Sequence, residues 1–244
     1  MPPNYWITRL LNYLFAPAVT ALLNMVGVHP AHPSRPINDT YSLEVLVASC
    51  LIVFFLIVRF TLSVEKPNPA QQIAEMIYEF TGSSASQIIG HNYERFQAFT
   101  TCVFLFIVLN NLLGLIPGVV TPTSAPVVPL GIALCTFIYY HFYGFKEQGF
   151  VGYLKHFAGP IWWISWLLFP IEIISHCARV MSLTIRLYAN MFASDLVTLV
   201  FFSLIPVGIP AIFLGLHAGV SLIQAYVFML LSMIYLSVAV SHEH

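Results

Sequence analysis

Apolar residues in this chain come in long blocks, with neither the alternation of a half-buried strand nor the short stripes of a soluble bundle. Crossing a bilayer takes about 20 mostly apolar residues as a helix. Five stretches qualify: 43–62, 97–116, 127–143, 161–205 and 209–240. Pro117-Gly118 closes the second, the Pro122/Pro126 turn region opens the third, and "PVGIP" separates the last two. The pattern predicts an all-α integral membrane protein with about five membrane-embedded helices.

The last two stretches are too long to stand upright. At 1.5 Å per residue, 161–205 measures ~65 Å and 209–240 measures ~48 Å, against a hydrocarbon core of ~30 Å. Both are expected to tilt strongly as an antiparallel hairpin, unless the first breaks near Pro170. Trp162, Trp163 and Trp166 suit an interface. Between the first two spans, Ile73, Met76, Ile77 and Phe80 share one helical face opposite Gln72, Glu75 and Glu79, which predicts a surface helix.

At the N-terminus, residues 10–28 follow Arg9 like a signal-peptide core. Asn12, Pro17 and Asn24 interrupt them, and "HPAHPSRP" has no small-x-small cleavage site. They are expected to stay on the protein as an interfacial helix. The expected organisation is an extracytoplasmic or interfacial segment over 1–42 and a membrane domain over 43–240. Within the latter lie a cytoplasmic surface loop at 63–96 and a hairpin at 161–240.

Composition agrees: 59% of residues are hydrophobic and 8% charged, where a soluble domain carries ~25% charged residues. Such a chain belongs in a lipid bilayer. No Lys/Arg cluster suggests nucleic acid. Cys50, Cys102, Cys135 and Cys177 stand alone in apolar runs and read as small buried hydrophobes. His29, His32, His91, His141, His156 and His176 have no metal-ligand spacing, and the terminal "HEH" reads as a solvated tail. Neither a metal nor a cofactor is expected.

Lys and Arg also set orientation. Arg59, Lys66 and Arg95 occupy one loop, and Lys146 and Lys155 another; loops 117–126 and 206–208 carry none. Arg9 and Arg35 in the N-terminal tail vote the other way. The balance places the two charged loops and the C-terminus in the cytoplasm, with the N-terminus outside.

The candidate chemistry lies where polar residues interrupt the long spans. Taking Arg186 as zero and ~100° per residue, Glu172, Arg179, Ser182 and Asn190 all fall within roughly 40° of it. Asp195 falls near 180°. Helix pairs need spacings of three or four, so neither Asp195 nor Glu172 can neutralise Arg186 along the helix. The last span carries a second stripe: His217, Ser221, Gln224 and Tyr235. In an antiparallel pair residues at one depth have a constant index sum, which matches His217 with Asp195 and Gln224 with Arg186.

Along the helix, Glu172 lies up to ~21 Å to one side of Arg186 and Asp195 up to ~13 Å to the other. A guanidinium keeps its proton and cannot relay one. It can attract a carboxylate and repel a hydronium, while the groups on either side exchange protons with water. The arrangement reads as two half-channels kept apart by Arg186. An alternative is a secondary ion transporter or antiporter with an intramembrane Arg-Asp-His site, although no internal repeat supports it.

At "SLTIRLYANMFASD", followed by "HAGVSLIQAYVFMLLSMIYLS", the sequence resembles subunit a of the F-type ATP synthase, the stator half of its membrane motor. "NNLLGLIPG" and "PTS" also resemble that family, and the similarity covers about 45 to 240. The resemblance implies a proton-translocating, non-catalytic subunit of a bacterial inner membrane. Its partners would be a ring of c subunits, each with a lipid-facing carboxylate, peripheral-stalk b subunits, and the soluble catalytic head. It implies that Arg186 faces the ring, with Asn190 a turn away and Gln224 beside it. It also implies an outer half-channel at Asp195 and His217 and an inner one at Glu172 and Ser182. Whether a cysteine at Leu183 or Leu187 cross-links to a ring subunit is then the most informative test. After "PTS" this chain reads "APVVP", where the family often has Asn or Asp. No P-loop is present, so the chain itself makes no ATP.

Overall fold

The computed structural model describes residues 5–25, 36–64, 66–90, 92–116, 118–158, 165–204 and 208–240. Most of these are helical: α1 Trp6–Met25, α2 Asp39–Phe60, α3 Pro69–Ile88, α4 Glu94–Leu113, α5 Val127–Ala158, α6 Ser165–Leu204 and α7 Ile209–Val240. A short 3-10 turn spans Pro122–Ser124. Six of the helices are long and apolar enough to cross a membrane, α3 being the exception.

Local chemistry explains several boundaries. Asp39 in the first turn of α2 and Arg59 in its last complement the helix dipole. Pro69 opens α3, where its missing N–H costs nothing. Gly149 interrupts α5 at φ 70°, a conformation that strains a side chain bearing a Cβ, and kinks it there. Pro170 does not break α6: the proline sits in the second turn and the helix continues through it to Leu204. At 40 residues α6 is ~60 Å long and cannot stand upright in a ~30 Å core. Trp162 and Trp163 lie outside the described residues; Trp166 is exposed.

The core lies between α4, α5, α6 and α7. Val103, Ile107 and Val108 meet Val128, Ile132 and Ala133, with Leu183, Leu187 and Met191 of α6 and Ala225 and Phe228 of α7. The helix α2 stands at the edge, burying Ser42, Leu43 and Val47. It leaves a cavity of about 820 Å³ against α4 and α5. All four cysteines are free and exposed on the chain surface, which corrects the expectation that they are buried. They sit on helix faces that the chain itself does not cover.

The helix α3 packs through small and polar residues: Gln71, Thr81, Gly82 and Ala85 are buried. Thr81 Oγ1 and Thr101 Oγ1 lie 2.8 Å apart, and Gln97 Nε2 donates to the Tyr78 carbonyl at 2.6 Å. Ile73 and Met76 remain exposed, an apolar face turned away from the rest of the chain, while Phe80, although partly exposed, meets the Phe104 and Tyr226 rings at 6.0 and 5.6 Å. The helix α1 is tethered twice. Tyr5 Oη donates to the Gly118 carbonyl at 3.0 Å, and Asn12 exchanges two hydrogen bonds with the Ile37 backbone.

The candidate proton path along α6 and α7

The register of α6 against α7 fixes which polar residues meet. Facing residues have indices summing to 411 for Ser194 and His217 and 412 for Met191 and Ser221. The sum is 414 for Asn190 and Gln224, for Phe201 and Phe213, and for Arg179 and Tyr235. The near-constant value identifies one straight antiparallel pairing over most of both helices. It also shifts one expected contact. Gln224 Oε1 accepts from Asn190 Nδ2 at 2.8 Å, one turn beyond Arg186, because 414 is the sum for Asn190.

Two acidic clusters result. Near the α6–α7 turn, Asp195 Oδ1 accepts from Thr121 Oγ1 at 2.8 Å and lies 3.7 Å from His217 Nδ1. His217 is buried, with its Nε2 3.4 Å from the Asn111 carbonyl and its Nδ1 2.9 Å from Ser194 Oγ. A carbonyl only accepts, so Nε2 carries hydrogen and Nδ1 is left to take one. Asn111 holds this corner together: its Oδ1 accepts from Thr123 Oγ1 at 2.6 Å and its Nδ2 donates to the Ser221 carbonyl at 3.4 Å. A second cavity, of about 390 Å³, opens beside Asp195 and is lined by Gly118, Ser124, Thr198 and Phe202 among others.

Toward the other end of α6, Glu172 Oε1 lies 3.3 Å from His176 Nε2 and 3.7 Å from Arg179 Nη2. The Arg179 guanidinium sits over the Tyr235 ring at 5.3 Å. Although Glu172 and Arg179 are seven residues apart, two helical turns bring them to one face. The start of α5 is apolar, in keeping with "APVVP"; its polar contribution comes lower down, from Thr136, Tyr140 and His141.

Arg186 lies between the clusters. Its Nη2 donates to Ser182 Oγ at 3.2 Å. Among the described residues, none of the ion pairs within 4 Å includes it. It is partly exposed, at the margin of the packed face of α6, while Leu183 and Leu187 point into the core. Those two leucines therefore cannot report on a neighbour outside the chain, which corrects the choice of cross-linking positions. Ser182, Ile185, Ala189, Asn190 and Ala193 are among the exposed residues near Arg186.

A family model described as ATP synthase A chain matches residues 41–237. The chain belongs to this family. It is 50% identical over 244 residues, all of both chains, to the ATP synthase subunit a of Koribacter versatilis (strain Ellin345). It is 43% identical over 235 residues to that of Solibacter usitatus (strain Ellin6076), covering 96% of this chain and 100% of the relative. Over 172 residues it is 41% identical to that of Bdellovibrio bacteriovorus, covering 70% and 75%.

The family membership covers all the helices from α2 to α7 that build the two clusters. Sequence reasoning did not single out Thr121, Asn111, Ser194, Tyr140 or His176 as members of them. Asn110-Asn111 in the middle of an apolar span was a usable signal, since polar pairs there are costly unless bonded. Single Ser and Thr residues carry little signal, because each can bond its own helix backbone.

Proposed function

We propose that this chain is the proton-translocating stator subunit of an F-type ATP synthase in a bacterial inner membrane, with Arg186 separating two offset half-channels. The observation that carries the reading is a partly exposed arginine without an acidic partner of its own among the described residues, set between two partnered acids. A charge at the bilayer centre costs ~2.5 kcal/mol or more. Asp195 and Glu172 already have donors, so the group that offsets Arg186 comes from outside the chain. The carboxylate of a passing c subunit fits, and Asn190 and Gln224 flank the place where it would stop.

The outer half-channel runs through Asp195 and His217, with Thr121, Ser194 and the adjoining cavity. The inner one runs past Glu172 and Ser182. A proton from outside passes the Asp195–His217 pair and neutralises a ring carboxylate, which can then turn into lipid. After nearly a full revolution the carboxylate reaches the Glu172 side, loses its proton and is drawn to Arg186. Each charge moved down 100 mV releases ~2.3 kcal/mol, which rotation carries to the catalytic head. The chain performs no ATP chemistry itself.

The N-terminus lies outside and the C-terminus in the cytoplasm, which keeps the charged loops inside. The α1 tethers hold that helix near Gly118 and the start of α2, in keeping with an extracytoplasmic interfacial segment over 1–42. The 63–96 segment faces the cytoplasm. Besides the ring, the b subunits of the peripheral stalk and the catalytic head are the partners.

Cross-linking tests the ring contact. In a background without Cys50, Cys102, Cys135 and Cys177, Ala189→Cys or Ala193→Cys is expected to form a disulfide with a cysteine beside the ring carboxylate. Leu187→Cys, buried in the core, is expected to form none. Cross-linking at Leu187 with none at Ala189 and Ala193 would contradict the reading.

A further inference from the structure

Glu172 has a second titratable group against it that the half-channel description leaves unused. His176 is one turn further along α6 and buried. Both its ring nitrogens are engaged across the α5–α6 contact: Nε2 lies 3.3 Å from Glu172 Oε1, and Nδ1 lies 2.9 Å from the Tyr140 hydroxyl of α5. Beside it stand His141, with ring centroids 4.8 Å apart, and Arg179, which also approaches Glu172 Oε1 and lies over the Tyr235 ring of α7. Glu172 itself is partly exposed. The carboxylate is therefore the accessible end of a short chain whose buried end is the imidazole.

We infer that His176 and Glu172 hold the translocated proton jointly, with His176 as the proton-holding member of the inner half-channel. The inference deepens the stator reading and rests on it. When Nδ1–H donates to the Tyr140 hydroxyl oxygen, Nε2 turns a lone pair toward Glu172. A proton arriving from water on Glu172 Oε1 can cross to Nε2, leaving carboxylate and imidazolium. It returns by the same path when a ring carboxylate is presented. No other atom is exchanged, and Tyr140 keeps its own proton while its oxygen orients the ring.

The pair solves a concentration problem. In ATP-driven pumping the inner side must capture protons near neutral pH, and imidazole is the side chain type whose charge change ordinarily falls between pH 5 and 8. A general acid or base works best with a pKa near the working pH.

The test is ATP-driven proton pumping by the whole complex in inverted membrane vesicles, expressed relative to wild type at each pH from 6 to 8.5. His176→Gln keeps a hydrogen-bonding side chain of similar size without a titratable group. It is expected to pump within about twofold of wild type at pH 6 and to fall about fivefold or more at pH 8.5. Equal loss at every pH, the signature of a merely structural role, or no loss at all would overturn the inference. Should His176→Gln fail to assemble, Tyr140→Phe carries the test. Without the hydroxyl that orients the imidazole it is expected to show a smaller deficit of the same kind, larger at pH 8.5 than at pH 6, and a deficit equal at both, or none, would overturn the inference. Undiminished pumping by Arg186→Ala would instead defeat the stator reading itself, so the two failures are distinguishable.

Discussion

At the scale of single residues, the geometry around Asp195 depends on a residue that carries no chemistry. A Cβ built on Gly114 would collide with Thr121 Oγ1 and lie 3.3 Å from His217 Cε1. Thr121 Oγ1 is the atom that donates to Asp195, and a threonine side chain is too short to swing clear. Gly114→Ala is therefore expected to push Thr121 off Asp195, to lower stability by ~1–3 kcal/mol through overpacking, and to slow pumping several-fold. Thermal melting of the purified complex and vesicle pumping check both effects; a variant unchanged in both would contradict the close packing. Arg186, Asp195, His217, Asn190 and Gln224 were legible in the sequence because each is expensive in lipid and therefore conspicuous. Gly114 and Thr121 were not, since a small residue or a lone threonine in an apolar run costs little and signals nothing until its neighbours are known.

At the scale of helices, the antiparallel register of α6 and α7 could be read from index sums, because both helices are long and only a few residues separate them in the sequence. The remaining error was about one turn, enough to give Gln224 to Asn190 rather than to Arg186. Which face of α6 is packed was harder. Leu183 and Leu187 sit close to Arg186 in sequence, yet point into the core formed with α4, α5 and α7. In a membrane protein the lipid-facing and core-facing sides are equally apolar, so hydrophobic periodicity loses its power to tell them apart. The same ambiguity explains the cysteines, read as buried and found exposed, and α3, which docks through Thr81, Gly82 and Ala85 while Ile73 and Met76 face away. The cross-linking contrast between Ala189 and Leu187 belongs to this scale, since it reads the face directly.

At the scale of the whole molecule, the all-helical membrane fold was legible from block length and composition alone. A sixth helix, α1, also meets the length and apolarity of a span; its placement depends on Tyr5 and Asn12, whose partners at Gly118 and Ile37 no periodicity reveals. Orientation is testable on intact cells. With the native cysteines removed, Val120→Cys is expected to react with a membrane-impermeant thiol reagent from outside. Gln72→Cys, exposed on α3, is expected to react only after the membrane is opened. The reverse pattern would invert the topology and exchange the two half-channels.

In the proposed function one positive group, without an acidic partner among the described residues, acts as the barrier that only a carboxylate on another protein can pass. Replacing it is the most direct trial: Arg186→Ala complexes, shown to be fully assembled, should hydrolyse ATP yet build no proton gradient in inverted vesicles. A gradient of wild-type size in those vesicles would mean that the guanidinium does not separate the two paths.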